Sequence, residues 1–230
     1  INRVRVKDDL DHDLEEMERR ITQNTRLVFV CNPNNPTGTI IERNVLRDFC
    51  ASVSARTIVF SDEAYYDYIE ETDYPSMVEL VREGMNVIVS RTFSKIYALA
   101  GMRIGYLVTR PDIAQRIRRN VPAGTNVLAI RAALASLQDN EFYELSLQKN
   151  REAREYLYEE FEKMGIRYQP SHTNFVFFYT GRDIRELIPA MEARGVLIGR
   201  PFPPLTEWCR ISTGTQPDME KFVNSLKQVL

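Results

Sequence analysis

Three short polar motifs each follow directly on a run of strand-forming apolar residues. Leu27-Val-Phe-Val-Cys31 runs into Asn32-Pro-Asn-Asn-Pro-Thr-Gly38, Ile58-Val-Phe60 runs into Asp62-Glu-Ala-Tyr65, and Val87-Ile-Val-Ser90 runs into Arg91-Thr-Phe-Ser-Lys95. Helical patterns separate them. Val45, Leu46, Phe49, Cys50 and Val53 recur on one helical face, and Ser76 opens a second helix with capping-box spacing to Glu79 and Gly84 as its stop. Strands joined through helices pair in parallel, so the pattern predicts an open α/β sheet. Ligands of such sheets bind just beyond the carboxyl ends of the strands. All three motifs fall at that edge.

The rest of the chain extends the pattern and then changes it. Leu10, Leu14, Met17 and Ile21 share one helical face, and residues 103–109 read as a further strand. Pro111 opens a helix bounded by Pro122, and apolar residues over 127–137 predict another. Residues 141–164 read as one long amphipathic helix stopped by Gly165. After it, strands are expected over 173–179, 196–198 and 209–212, and helices over 184–193 and 219–230. The fold class is therefore α/β: a mostly parallel sheet flanked by helices over residues 1–140, then a smaller α+β domain over 141–230 that includes the long connecting helix. The stretch Arg200-Pro-Phe-Pro-Pro-Leu-Thr206 reads as a stiff loop.

Composition removes several function classes. The net charge of −2, from 30 basic and 32 acidic residues, gives no field for nucleic acid or an anionic membrane. No apolar run reaches the ~20 residues that span a bilayer. The three cysteines, Cys31, Cys50 and Cys209, are odd in number and scattered, so neither a disulfide framework nor a metal site is expected, and a reducing, cytoplasmic compartment fits. His12 and His172 read as surface residues. The chain opens at Ile1 and at once shows strand-like Val4 and Val6, so an N-terminal segment is expected to be missing.

Lys95 is the residue on which the chemistry turns. Hydroxyls stand just before it at Thr92 and Ser94, and Arg103 follows, a grouping suited to a lysine that forms a Schiff base beside a bound phosphate. Pyridoxal phosphate also needs a carboxylate at its ring nitrogen and donors around its ring oxygen. Asp62 fits the first need, and Asn35 with Tyr65 the second, while Thr92, Ser94 and Arg103 fit the phosphate. Gly38 permits a turn after Asn35-Pro36, and Gly101 is expected to allow close backbone packing before Arg103. Tyr66 and Tyr68 read as packing residues.

The segments VFVCNPNNPTGT, SDEAYYDY, SRTFSKIYALAGMRIGYL and CRISTGT span residues 28 to 215. On them the chain resembles the fold-type I aminotransferases of class I/II, especially the histidinol-phosphate aminotransferase-like branch. The resemblance implies a fold-type I domain, pyridoxal 5'-phosphate as cofactor, amino-acid and 2-oxo-acid substrates and a homodimer. It implies that Asn35, Asp62, Tyr65, Lys95 and Arg103 hold the cofactor and that Arg210 grips the substrate α-carboxylate. It also implies a glycine-containing phosphate cup and a ring-stacking aromatic residue upstream, which this sequence lacks. Asn174 fits either a place near the substrate or a strand-start hydrogen bond. Arg200 fits a distal acidic group on the substrate or a solvated loop. The expected reaction is transamination of an L-amino acid, histidinol phosphate and aromatic amino acids among the candidates. A decarboxylase or lyase, or a non-catalytic cofactor-sensing domain, would use the same cofactor residues.

Overall fold

The computed structural model describes residues 1–230. They form two compact units, one of residues 1–33 and 40–140, the other of residues 34–39 and 141–230.

The first unit is built on a four-stranded sheet in the order β1 (Leu27–Cys31), β2 (Ile58–Asp62), β3 (Val87–Thr92) and β4 (Gly105–Thr109). β1, β2 and β3 are parallel, and β4 returns antiparallel to β3. The helices α1 (Leu14–Arg19), α2 (Arg43–Ser54), α3 (Val78–Arg82), α4 (Pro111–Arg118) and α5 (Val127–Ser136) accompany it. Side chains alternate across a strand, and the alternation decides which residues make the core. Val28, Val30, Val59, Val87 and Val89 pack on Leu46, Phe49, Cys50 and Val53 of α2 and Leu80 of α3.

The opposite face of the same sheet is also apolar. Leu27 and Phe29 are 44% and 53% exposed, so the apolar run of β1 is buried on one face only. Phe29 stacks on Phe60 with ring centroids 5.5 Å apart. Apolar residues on both faces hid the period of two from a reading of the sequence. Leu10 lies outside α1, which starts only at Leu14, because its backbone is left-handed with φ of 70°. The expected capping box on α3 is replaced too. α3 begins at Val78, whose N–H donates to Ser76 Oγ, while that hydroxyl itself donates to Glu63.

The second unit holds α6 (Asn140–Lys163), β5 (Tyr168–Gln169), β6 (Phe175–Tyr179), α7 (Ile184–Glu192), β7 (Trp208–Ser212) and α8 (Gln216–Leu226). Its sheet has the order β5-β6-β7 and is antiparallel throughout. Leu157 and Phe161 of α6, Val176 and Phe178 of β6, Leu187 and Met191 of α7, and Phe222 and Val223 of α8 make its core. Phe161 meets Phe178 at 4.8 Å between centroids, and Phe178 meets Phe222 edge-on at 5.9 Å. α8 is capped by Thr215 and Asp218 in a reciprocal box. Residues 196–198 do not form the strand expected of them. Val196 and Ile198 pack on the core while Leu197 is 79% exposed, the alternation of a half-buried strand, but the run joins no strand of the sheet. The backbone there instead runs against β7 so closely that a Cβ on Gly199 would lie 2.6 Å from the Arg210 carbonyl oxygen.

Two substitutions report on this packing. Leu157→Ala, at a position with no exposed surface, is expected to lower the unfolding free energy by about 2–5 kcal/mol, read from the urea midpoint. Gly38→Ala is expected to cost at least about 1 kcal/mol, because its φ is +80° and a Cβ there would meet Ser171 Oγ at 2.5 Å.

Candidate active site

The three parallel strands of the first unit end at one edge, and their registers place Asp62, Ser90 and Thr92 there. Asp62 closes β2 and pairs in register with Ser90 of β3. Its Oδ1 accepts from Ser90 Oγ at 3.0 Å and from the Ala64 N–H at 3.1 Å. Both donors go to Oδ1, so Oδ2 keeps its lone pairs for a further donor. Tyr65 is buried, and Lys95 Nζ lies 5.0 Å from the centre of its ring, within cation–π range.

Lys95 rides on a loop that closes on itself. The Ser94 N–H donates to Thr92 Oγ1 at 3.0 Å, and the Ala98 N–H to the Lys95 carbonyl at 2.9 Å. At the base of the loop, the Phe93 N–H donates to the Ile104 carbonyl and the Leu99 N–H to the Phe93 carbonyl. Arg103 has a left-handed φ of 52°, is exposed and donates to the Ala100 carbonyl at 2.8 Å. The close backbone approach expected at Gly101 occurs at Gly105 instead. A Cβ on Gly101 would meet open space, whereas one on Gly105 would lie 2.7 Å from the Arg91 carbonyl oxygen. The antiparallel return of β4, pairing Gly105 with Thr92, creates that crowding.

Behind this edge lies a polar network that the motif reading missed. Glu63 is 3% exposed. Its carboxylate accepts from the Met77 N–H at 2.7 Å, Ser76 Oγ at 2.8 Å and Arg91 Nε at 2.9 Å. Burial pushes the Glu63 carboxyl above its ordinary range, and the Arg91 charge and these donors oppose the shift. The Arg91 guanidinium lies 3.9 Å from the Tyr66 ring centre. Tyr66 donates to the Tyr74 carbonyl, Tyr74 donates to the Ile41 carbonyl, and Asn32 Nδ2 donates to the Tyr74 hydroxyl. The available signal was a charge in the apolar register: Arg91 has the same strand parity as Val87 and Val89.

The second unit carries its own polar cluster. Arg210 on β7 donates from Nη1 to Asn35 Oδ1 at 2.6 Å. Its guanidinium lies 5.0 Å from the Phe175 ring centre and 5.2 Å from that of Phe202. Arg200 lies 4.4 Å from the same Phe202 ring, is exposed and donates to the Pro201 carbonyl. The Arg210 Nε is buried without a hydrogen-bond partner. Asn35 is presented by a tight turn in which the Gly38 N–H donates to the Asn34 carbonyl and the Asn34 N–H to the Thr39 carbonyl. Asn174 is tied through its backbone carbonyl, which accepts from the Thr213 N–H and hydroxyl.

The structure thus brings Asp62 to Ser90, Lys95 to Tyr65, Thr92 to Ser94, and Arg210 to Asn35, with Arg200 beside the ring that Arg210 also faces. One side reading changes. His12 is half-buried rather than on the surface, and burial pushes its imidazole down to about 4. The Cys50 and Cys209 thiols are pushed up to about 12 by burial, which makes them inert packing groups. No helix is long and apolar enough to cross a membrane.

Known proteins share both sequence and fold with this chain. It is 43% identical over 223 residues to the histidinol-phosphate aminotransferase of Moorella thermoacetica, covering 95% of this chain and 58% of that protein. It is 38% identical over 233 residues to the enzyme of the same name from Halalkalibacterium halodurans, covering 100% and 63%. The histidinol-phosphate aminotransferase of Sinorhizobium meliloti, solved in complex with pyridoxal-5'-phosphate, superposes with a TM-score of 0.88 at 29% identity over 99% of this chain and 64% of that one. The chain therefore spans about three fifths of the length of the curated relatives it matches. The family described as aminotransferase class I and II matches residues 1–226. The chain belongs to the aminotransferase class I and II family.

Proposed function

We propose that the protein carrying this chain is a pyridoxal-phosphate-dependent aminotransferase that moves an amino group between a primary-amine substrate, histidinol phosphate or an L-amino acid, and a 2-oxo acid. The observation that carries the reading is the strand-end pair Asp62–Ser90 beside the loop that holds Lys95 over Tyr65. The donor set fits the cofactor: a carboxylate with one oxygen free to accept, an amine on a flexible stem, and hydroxyls and an arginine for a phosphate. The names of the relatives support the same chemistry and do not favour a decarboxylase, a lyase or a non-catalytic sensor.

When bound, pyridoxal phosphate supplies an electron-withdrawing ring that makes the α-proton of an attached amino acid acidic. Asp62 Oδ2 would accept the proton-bearing ring nitrogen, with Ser90 and the Ala64 N–H fixing the carboxylate on its other oxygen. Tyr65 and Asn35 would donate to the ring oxygen, and Thr92, Ser94 and Arg103 would hold the phosphate. Lys95 Nζ would hold the cofactor aldehyde and would serve as the base and acid for the substrate α-proton. Arg210 offers a planar pair of donors to the substrate carboxylate, a match that an ammonium does not reproduce. Arg200 would meet a distal acidic group of a substrate that carries one, and Asn174 stands at the start of the strand beside β7. In the same reading the first unit belongs to the larger cofactor-binding domain and residues 141–230 form the smaller one. The enzyme is a homodimer of the cytoplasm, its mass checked by sedimentation.

Two measurements test this function. The purified protein with added pyridoxal phosphate should show a visible absorption band that Lys95→Ala removes and that L-glutamate converts to the pyridoxamine form. A Lys95-dependent band unmoved by glutamate and by histidinol phosphate would refute transamination. Arg210→Lys should raise KM for amino-acid substrates about tenfold or more, equivalent to at least ~1.4 kcal/mol, with cofactor affinity retained.

A further inference from the structure

Successive residues of a strand point to opposite faces. Ser61 and Glu63 therefore share the helix-packed side with Val89 and Arg91, while Asp62 and Ser90 face the other way. The ion pair of Glu63 and Arg91, with a shortest N–O distance of 2.6 Å and side chains 3% and 14% exposed, is the reverse side of the Asp62–Ser90 pair. The backbone links the two. The Glu63 N–H donates to the Ser90 carbonyl at 3.0 Å, and the Asn32 N–H donates to the Asp62 carbonyl at 3.0 Å, so ladder bonds continue on both sides of Asp62.

The pair also grips the turn that bears Tyr65. Glu63 stands two residues before it, and the Glu63 carbonyl accepts from the Tyr66 N–H at 3.1 Å. Arg91 covers the Tyr66 ring, with Asp67 at 3.9 Å. Arg91 also leads into Lys95 four residues on, and its own carbonyl sits against Gly105 with no room for a side chain. Moving Arg91 would thus move both Ser90 and the start of the lysine loop.

Taking two charges out of water costs several kcal/mol per ion, and apolar side chains of the same volume often serve stability as well or better. Stability alone does not call for an ion pair here. We propose that Glu63 and Arg91 are positioning residues: their ion pair fixes the register of the β2 and β3 ends and so sets the geometry of Asp62, Tyr65 and Lys95. The assignment to a cofactor site rests on the function proposed above. The register claim concerns the protein alone.

The test compares the parent protein with the double variant Glu63→Met and Arg91→Met, which keeps side-chain volume, and with Arg91→Lys, which keeps charge and loses the fork. Amide hydrogen exchange reads the register without any cofactor, and equilibrium dialysis with pyridoxal phosphate reads the site. The double variant should stay folded, with a urea midpoint below the parent's because the Met77 N–H and Ser76 Oγ lose their acceptor. Its Glu63 and Ala64 amides should exchange at least about tenfold faster while Val59 and Val30 keep their protection. Its cofactor dissociation constant should rise about tenfold, with Arg91→Lys between the two. A folded double variant with unchanged exchange at Glu63 and Ala64 overturns the proposal whether or not cofactor binds. Faster exchange with unchanged cofactor affinity overturns its link to the site. If the double variant does not fold, Arg91→Lys decides by the same two readouts. A parent that fails to bind cofactor through Lys95 refutes the proposed function, and the exchange rates still judge the positioning role.

Discussion

Parallel pairing of β2 with β3 in one register, Asp62 against Ser90, is the constraint on which the first unit's chemistry depends. A slip of one residue would turn every side chain of the moved strand to the other face. Asp62 would then enter the valine-lined core and Glu63 would take the open edge. The register is held from both sides at once. Apolar packing of Val59, Val87 and Val89 on α2 and α3 fixes it along the strands. The charged and hydroxyl groups around Glu63 fix it at their ends. Packing supplies most of the energy there, and the polar groups supply direction, because hydrogen bonds weaken steeply off line.

The second unit solves a different problem with different means. Its strand β6 is buried along almost its whole length. Arg210 must therefore present its charge from an otherwise apolar neighbourhood, between the rings of Phe175 and Phe202. Aromatic faces tolerate a guanidinium where an aliphatic wall would not. The Asn35 carbonyl oxygen takes one of its donors. The guanidinium is thereby oriented by two rings and one amide oxygen.

Much of this was legible in the sequence, for identifiable reasons. Strand β1, β2 and β3 ends could be read because each apolar run stops at a residue type with its own signature: Asn-Pro, Asp-Glu, Ser before Arg-Thr. The long helix α6 showed its amphipathic period and its terminal Gly165. What escaped was whatever depends on a partner far along the chain. Residues 196–198 have strand composition and a strand's in-out alternation, yet no local rule tells that they will join no sheet. Gly101 and Gly105 are equivalent as letters, and only the antiparallel return of β4 makes the second one indispensable. Glu63 and Arg91 are 28 residues apart, and their meeting follows from the crossover between β2 and β3, not from either motif. His12 looked like a solvated residue because burial at a helix entrance leaves no periodic trace.

The closed loop after β3 has a consequence for the lysine it carries. Its ends are pinned by hydrogen bonds from Phe93 to Ile104 and from Leu99 to Phe93, so the Lys95 backbone has little freedom while its four-carbon stem keeps its own. An amine detached from its partner on such a stem does not diffuse away. It samples a volume only a few ångströms across, and in the proposed reaction that would correspond to a very high effective concentration of base next to the substrate carbon. Release and return of the amine would then be two positions of one tethered group, where a free amine from solution would have to be bound anew at each turnover.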